Sequence, residues 1–474
     1  MSSNRGSFYL GGKWQSTGRT VLIRNPYDLS TVGEVHLAGR AEAEKAIVAA
    51  RKGFSVTRNL PSHRRAEILS FIAGKIREEK EAFAGTIVKE VGKPAKAARI
   101  EVERAIATFN IAAEEAKRIG GETIPLDWNV LSEQRFGLTR RFPLGLIVAI
   151  APFNYPLNLV AHKIAPAIAS GNAWILKPPP QAPLTSLRLA RIIADSGFPP
   201  EAWSVLPCEN AVAESLVSDD RVAMISFTGS PKVGWYLKTK AGKKKVLLEL
   251  GGNAGVIVDE SADVEEAARR NVTGSFVYSG QVCIKVQRIY VHERRYDEYL
   301  ERLLGATRTL KLGNPADEDT SIGPLIDDAS ADRVHAWITE AVSAGATLLL
   351  GGARHDRLIE PTILSGVEKT AKVFCEEVFG PVVTVHRFRE FSEAIDGIND
   401  SRFGLQAGVF SNDFRNILHA FQTVEVGAVI VNDNPTYRID HMPYGGVKDS
   451  GFGREGLKYA IEAMTEPRLM VIAP

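Results

Sequence analysis

Cysteine is scarce in this chain: Cys208, Cys283 and Cys375 are the whole complement in 474 residues. Three scattered thiols cannot build a disulfide framework or a cysteine-based zinc cage, so no metal site is expected. Such usage implies a reducing compartment, the cytoplasm. Surplus charge is missing too, with 58 basic against 56 acidic residues. That balance leaves no electrostatic footprint for nucleic acid, and the run Lys243-Lys244-Lys245 reads as a solvated approach to a strand. Long apolar runs are absent: 144–151 falls far short of a bilayer span, and the polar first twelve residues lack the apolar core of a signal peptide. Neither nucleic acid nor membrane is an expected partner. A useful Gly-x-Gly-x-x-Gly fingerprint is also missing, so any nucleotide site rests on other signs.

What is present is the makeup of a soluble globular protein, 45% hydrophobic and 24% charged, long enough for two or three cores. Helical spacing of apolar residues predicts helices at about 42–57, 62–90 and 95–119. From about 144 the period changes. Short apolar runs at 146–151, 173–176, 203–206, 223–228 and 246–250 alternate with helical patterns at 157–169, 185–196, 211–217 and 231–240. A second series follows Gly251-Gly252, with strands at 255–258, 288–291, 347–350, 382–388, 407–410 and 428–431. Its helices lie near 262–277, 296–310, 329–344, 391–399 and 413–424. Apolar strands alternating with helices predict α/β units with parallel sheets covered on both faces. Segments 122–143 and 457–474 fit neither series and read as extended arms.

The strand ends carry unusual residues. One runs into Lys177 and Pro178-Pro179-Pro180, another into Thr228-Gly229-Ser230. A glycine and a hydroxyl at a strand-to-helix turn let backbone amides approach a pyrophosphate, although most such turns are only tight loops. Cys283, in Ser279-Gly280-Gln281-Val282-Cys283, is either a reactive thiol or an inert packing residue. Glu249 ends the apolar run Val246-Leu247-Leu248-Glu249, where an anion is costly to bury; it is either a general base or a locally paired carboxylate. Asn154, directly after a strand, is an oxyanion donor or a helix cap. Cys208 and Cys375 lack a glycine-flanked context and read as structural.

Seven segments in order resemble the aldehyde dehydrogenase superfamily over nearly the whole chain. They are Ala151-Pro152-Phe153-Asn154-Tyr155-Pro156, Leu176-Lys177-Pro178, Phe227-Thr228-Gly229-Ser230, Leu248-Glu249-Leu250-Gly251-Gly252, Gly280-Gln281-Val282-Cys283, Glu376-Glu377-Val378-Phe379-Gly380-Pro381 and 445–451. The resemblance implies two Rossmann-like α/β domains and a small β oligomerisation arm. The dinucleotide-binding domain would take 1–121 and 142–248, the catalytic domain 249–456, and the arm 122–141 with 457–474. It implies Cys283 as nucleophile, Glu249 as general base and Asn154 as oxyanion donor. Lys177, Pro152, Phe153, Pro180, Gly229, Ser230, Glu377 and Phe379 would then hold the cofactor. On this resemblance a cysteine thioester forms as hydride leaves, and Glu249 activates the water that releases a carboxylic acid.

Related enzymes that use NAD often carry an acid three positions after the lysine; here Pro180 stands there, which leans towards NADP being accepted beside NAD. The branch it resembles, which acts on lactaldehyde, succinate semialdehyde and glyceraldehyde 3-phosphate, implies Arg104, Tyr155 and Arg438 as contacts to a small hydroxy- or acid-bearing aldehyde. Val282 replaces an arginine that the phosphate-using members place beside the nucleophile. Arg104 has an alternative role as an ion-pair partner of Glu101 or Glu103. The alternatives for the whole chain are a CoA-acylating or reductive enzyme of the same fold and a non-catalytic structural protein. The arms imply a homodimer or homotetramer.

Overall fold

The computed structural model describes residues 6–473; the expected domain bounds at residues 1–5 and 474 lie outside the described residues. Its first sheet has eight strands. Five parallel strands form the centre, in the order Trp203–Val205, Ala173–Lys177, Leu146–Ile150, Val222–Thr228 and Lys245–Glu249. Each reads as a near-continuous apolar run because helices cover both faces. Helix Asn158–Ser170 is buried along its whole length, which explains its lack of a polar stripe. Antiparallel strands close the edges, with Phe8–Leu10 and Lys13–Gln15 on one side and Gly451–Phe452 on the other.

The second sheet runs Thr347–Leu350, Thr362–Ser365, Val382–Phe388, Val286–His292, Ala254–Val258, Gln406–Phe410 and Ala428–Val431. Only the first pair is antiparallel. A separate three-stranded antiparallel sheet joins Thr123–Pro125, Phe136–Pro143 and Thr465–Ile472, bringing the two arm segments together. These are two Rossmann-like α/β units and a small β arm.

Three local expectations need correction. The helix expected over 62–90 is two, Ser62–Glu78 and Lys80–Val91, broken at Glu79 with φ −100° and ψ 18°. Both pack on helix Ala95–Ala116 and both reach helix Pro183–Ala194, so the turn at Glu79 lets two shorter helices lie on the same neighbours. No proline or glycine marks the break. The first forty residues, for which no element is predicted, hold two hairpins, the second pairing Thr20–Arg24 with Thr31–His36. Strand Thr362–Ser365 was also not expected; at four residues it is too short to display a period.

Strand order reverses between Leu146–Ile150 and Val222–Thr228, the point at which open α/β sheets form a crevice beyond their carboxyl ends. The second sheet meets that crevice from the opposite sense. The segments that precede its strands Ala254–Val258, Val286–His292 and Val382–Phe388 line the opening.

Candidate active site

Cys283 sits on the loop that leads into strand Val286–His292, half-buried at a cavity of about 410 Å³. The loop is strained on purpose. Tyr278, Ser279 and Gly280 all have positive φ, at 49°, 55° and 70°. Two non-glycine residues in that region cost on the order of 1–3 kcal/mol each, so the surroundings must hold them. They do: the Tyr278 hydroxyl donates to Val91 O at 2.8 Å, the Ser279 hydroxyl to Gly323 O at 2.7 Å and the Gln281 amide to Pro324 O at 3.2 Å. At Gly280 a Cβ would stand 2.2 Å from Gly380 O, so only glycine lets the two loops meet. The buried Asn154 donates through Nδ2 to Gln281 O at 2.9 Å, which leaves its second N–H free beside the thiol.

The thiol contacts the Tyr444 hydroxyl at 3.0 Å. Burial pushes Cys283 up to about 11, although Tyr444 and the Arg438 guanidinium pull the other way. Glu249 ends strand Lys245–Glu249 and is 2% exposed, with neither carboxylate oxygen hydrogen-bonded among the described residues. Burial first, then the neighbouring Glu455, raises its pKa well above the ordinary carboxylate range. An unpartnered buried acceptor costs on the order of 1–3 kcal/mol, a cost that marks a group reserved for a visiting molecule. Behind it, fully buried Glu455 accepts from Lys163 at 3.0 Å and from Arg438 at 3.2 Å. Lys163 also donates to Thr228 at 2.7 Å. Although burial works against it, Lys163, His162 and Arg438 hold Glu455 down at about 2. Arg438 is also acted on by Asp440 and Glu249, and its Nε lacks a partner among the described residues.

The other wall of the cavity is Pro152, Phe153, Gly229, Ser230, Glu377 and Phe379. Glu377 accepts from Gly252 N at 3.1 Å, and a Cβ on Gly251 would lie 2.4 Å from its second oxygen. Burial pushes Glu377 up to about 7. Phe379, at φ 47°, meets Phe153 edge-to-face with centroids 6.0 Å apart. A second cavity, about 440 Å³, is lined by Pro178, Pro179, Pro180, Pro207, Cys208 and Val21. Lys177 is buried at the strand end; desolvation lowers its pKa, and it has no carboxylate partner among the described residues. Among the described residues no group of three acidic, histidine or cysteine side chains could hold a metal ion.

A thiol, an amide donor and an orphaned carboxylate line one cavity at the strand switch. The model of the aldehyde dehydrogenase family matches residues 14–470. The chain belongs to the aldehyde dehydrogenase family. It is 44% identical to the 3-sulfolactaldehyde dehydrogenase of Priestia aryabhattai over 98% of this chain and 97% of that protein. Among solved structures, aldehyde dehydrogenase 21 from Physcomitrella patens, in complex with the reaction product succinate, superposes with a TM-score of 0.98 at 40% identity, covering 100% of this chain and 99% of that one. Glyceraldehyde-3-phosphate dehydrogenase GapN from Methanocaldococcus jannaschii, complexed with NADP, gives 0.93 at 42%, covering 97% and 100%.

In this aldehyde dehydrogenase the expected residues divide. Cys283, Glu249, Asn154, Arg438 and the six wall residues line one cavity, while Pro180 lines the other. Arg104 and Tyr155 line neither. Arg104 makes a two-pronged pair with Asp440, at 2.7 and 3.3 Å, rather than with Glu101 or Glu103. Those two carboxylates are taken by Lys93 and Lys80. Sequence reading missed Tyr444, Arg333, Trp337, Lys163 and Glu455. Two of them left a trace: Lys163 stands in a helix rich in apolar residues, and Glu455 stands directly before Gly456 and two positions after Gly453. The rest are joined to the site only by folding. Among the described residues no helix is long and apolar enough to cross a membrane.

Proposed function

We propose that the chain oxidises a small acid- or hydroxy-bearing aldehyde to the carboxylic acid through a thioester on Cys283. One observation carries the reading: the thiol, the free N–H of Asn154 and the unpartnered Glu249 carboxyl line a single cavity. Cys283, having given its proton up to solvent, adds as the thiolate to the carbonyl carbon, and the oxyanion is met by Asn154 and the backbone amide of Cys283. A bound NAD or NADP supplies the hydride acceptor. Lys177 would hold its adenosine ribose, Gly229 and Ser230 its pyrophosphate, Glu377 its second ribose and Phe379 its nicotinamide. The open carboxylate oxygen of Glu377 and the unpaired Lys177 suit hydroxyl groups. Glu249 then takes a proton from water, which hydrolyses the acyl-enzyme. A water-activating carboxylate at this place favours free acid over transfer to coenzyme A.

Pro180 removes the acidic side chain that would repel a 2′-phosphate, which favours NADP being accepted alongside NAD; the NADP complex of the GapN relative supports this. Arg438, a cation on the cavity wall whose Nε is unpartnered among the described residues, favours an acidic tail on the substrate. The sulfolactaldehyde and succinate of the two relatives are both acid-bearing. We divide the chain at 122, 142, 249 and 457 as the sequence suggested. The arm, which exposes Leu469, Met470 and Val471, supports a homodimer or homotetramer. Three free thiols suit a cytoplasmic home.

The test is Glu249→Gln. It is expected to keep a burst of reduced cofactor equal to the enzyme concentration while steady turnover falls by about 10²-fold or more, the scale of a lost general base. Normal turnover in that variant would remove Glu249 from the reaction.

A further inference from the structure

Lys93 lies in the turn between helices Lys80–Val91 and Ala95–Ala116, and its side chain is wholly buried. Its ammonium pairs with the equally buried Glu101. Glu101 is the only acceptor for it among the other described side chains; aromatic faces take the remaining room. The nitrogen stands 3.6 Å from the centroid of the Tyr155 ring and 4.6 Å from that of Tyr278. A desolvated cation between two rings is held far more tightly than at a surface.

The two rings belong to the two halves of the site. Tyr155 follows Asn154 directly, and Tyr278 opens the strained loop that ends at Cys283. The second oxygen of Glu101 extends the same grip: it accepts from Leu157 N at 2.8 Å and Asn158 N at 3.2 Å, fixing the start of the helix that follows Asn154. The Tyr278 hydroxyl is tied back to Val91, two residues before Lys93. One buried ion pair thus grips the segment bearing the amide donor and the segment bearing the thiol. The only direct polar link between them that involves Asn154 is its bond to Gln281.

We propose that Lys93 is a positioning residue that sets the separation of Asn154 from Cys283 through its cation–π contacts with Tyr155 and Tyr278. It touches neither cavity, and it acts where Cys283 adds to the carbonyl and Asn154 receives the oxyanion. This rests on Cys283 being the nucleophile.

The test keeps shape and varies only the ring face. Phenylalanine, then mono-, di- and trifluorophenylalanine, are placed at position 155, and the burst of reduced cofactor is timed. The Phe variant sets the baseline without the hydroxyl. The burst rate is expected to fall stepwise with each fluorine, roughly tenfold across the series. Cofactor dissociation constants and the unfolding midpoint should stay flat. In Lys93→Met/Glu101→Gln the dependence on fluorine should vanish. A flat series in a protein that still shows a burst overturns the proposal. Absence of a covalent acyl adduct on Cys283 in Glu249→Gln, read by mass spectrometry, overturns the thioester reading instead, so the two failures are distinguishable.

Discussion

Cys283 starts as a thiol that burial holds at about 11, so it is not a preformed thiolate waiting for substrate. Its alkylation by iodoacetamide in the free protein is expected to keep climbing to the alkaline end of the stable range; a plateau near neutrality would contradict this. Asn154 carries the oxyanion once the thiol has added. Asn154→Ala is expected to slow the burst by about 10²–10³-fold, the cost of one such donor, measured by rapid-mixing kinetics. Glu377 behaves in the opposite sense to a paired surface carboxylate. Because burial lifts it to about 7, it loses charge as pH falls through that value, and with charge goes its strength as an acceptor for ribose hydroxyls. The KM for the dinucleotide is therefore expected to rise on the acid side of about 7 and to lie flat in Glu377→Gln. Part of this was legible beforehand. Cys283, Glu249 and Asn154 stand at strand ends or beside glycines, where a reactive group has local context. Tyr444 and Arg333 have none, because their roles arise from where distant loops land. Arg104 was misjudged for the same reason: its partner Asp440 lies 336 positions away, beyond the reach of helical spacing.

Elements were legible in proportion to their length and period. The five central strands of the first sheet emerged close to their observed bounds because a buried parallel strand is an unbroken apolar run. The break at Glu79 did not, since no proline or glycine marks it in the sequence. Nor did strand Gly451–Phe452, whose two residues have no period at all. The loop 278–283 is the element on which activity turns. Gly280→Ala would add a methyl group 2.2 Å from Gly380 O at φ 70°, so loop and neighbour must part. A loss of about 1–3 kcal/mol in chemical denaturation and near-complete loss of the burst are expected; unchanged kinetics would mean the loop tolerates a different path.

At the scale of the whole molecule, the arm is a sheet with too little to stand on by itself. Its last strand leaves Leu469, Met470 and Val471 about half exposed, and Trp128, Val130 and Leu131 at its tip more so. Exposed apolar side chains of this kind fit the proposed homodimer or homotetramer. Leu469→Glu with Val471→Glu is expected to shift the protein to a smaller species in sedimentation velocity; an unchanged sedimentation coefficient would place the interface elsewhere. The pairing of Leu248 with Phe452 and of Glu249 with Gly451 has another outcome. The flank of the proposed base is supplied by residues made some two hundred positions later, and Glu455, which with burial raises its pKa, emerges later still. A ribosome-bound chain stalled short of Gly451 would hold the crevice for a dinucleotide yet leave Glu249 open to water, so competence for chemistry arrives only once the segment through Glu455 has emerged.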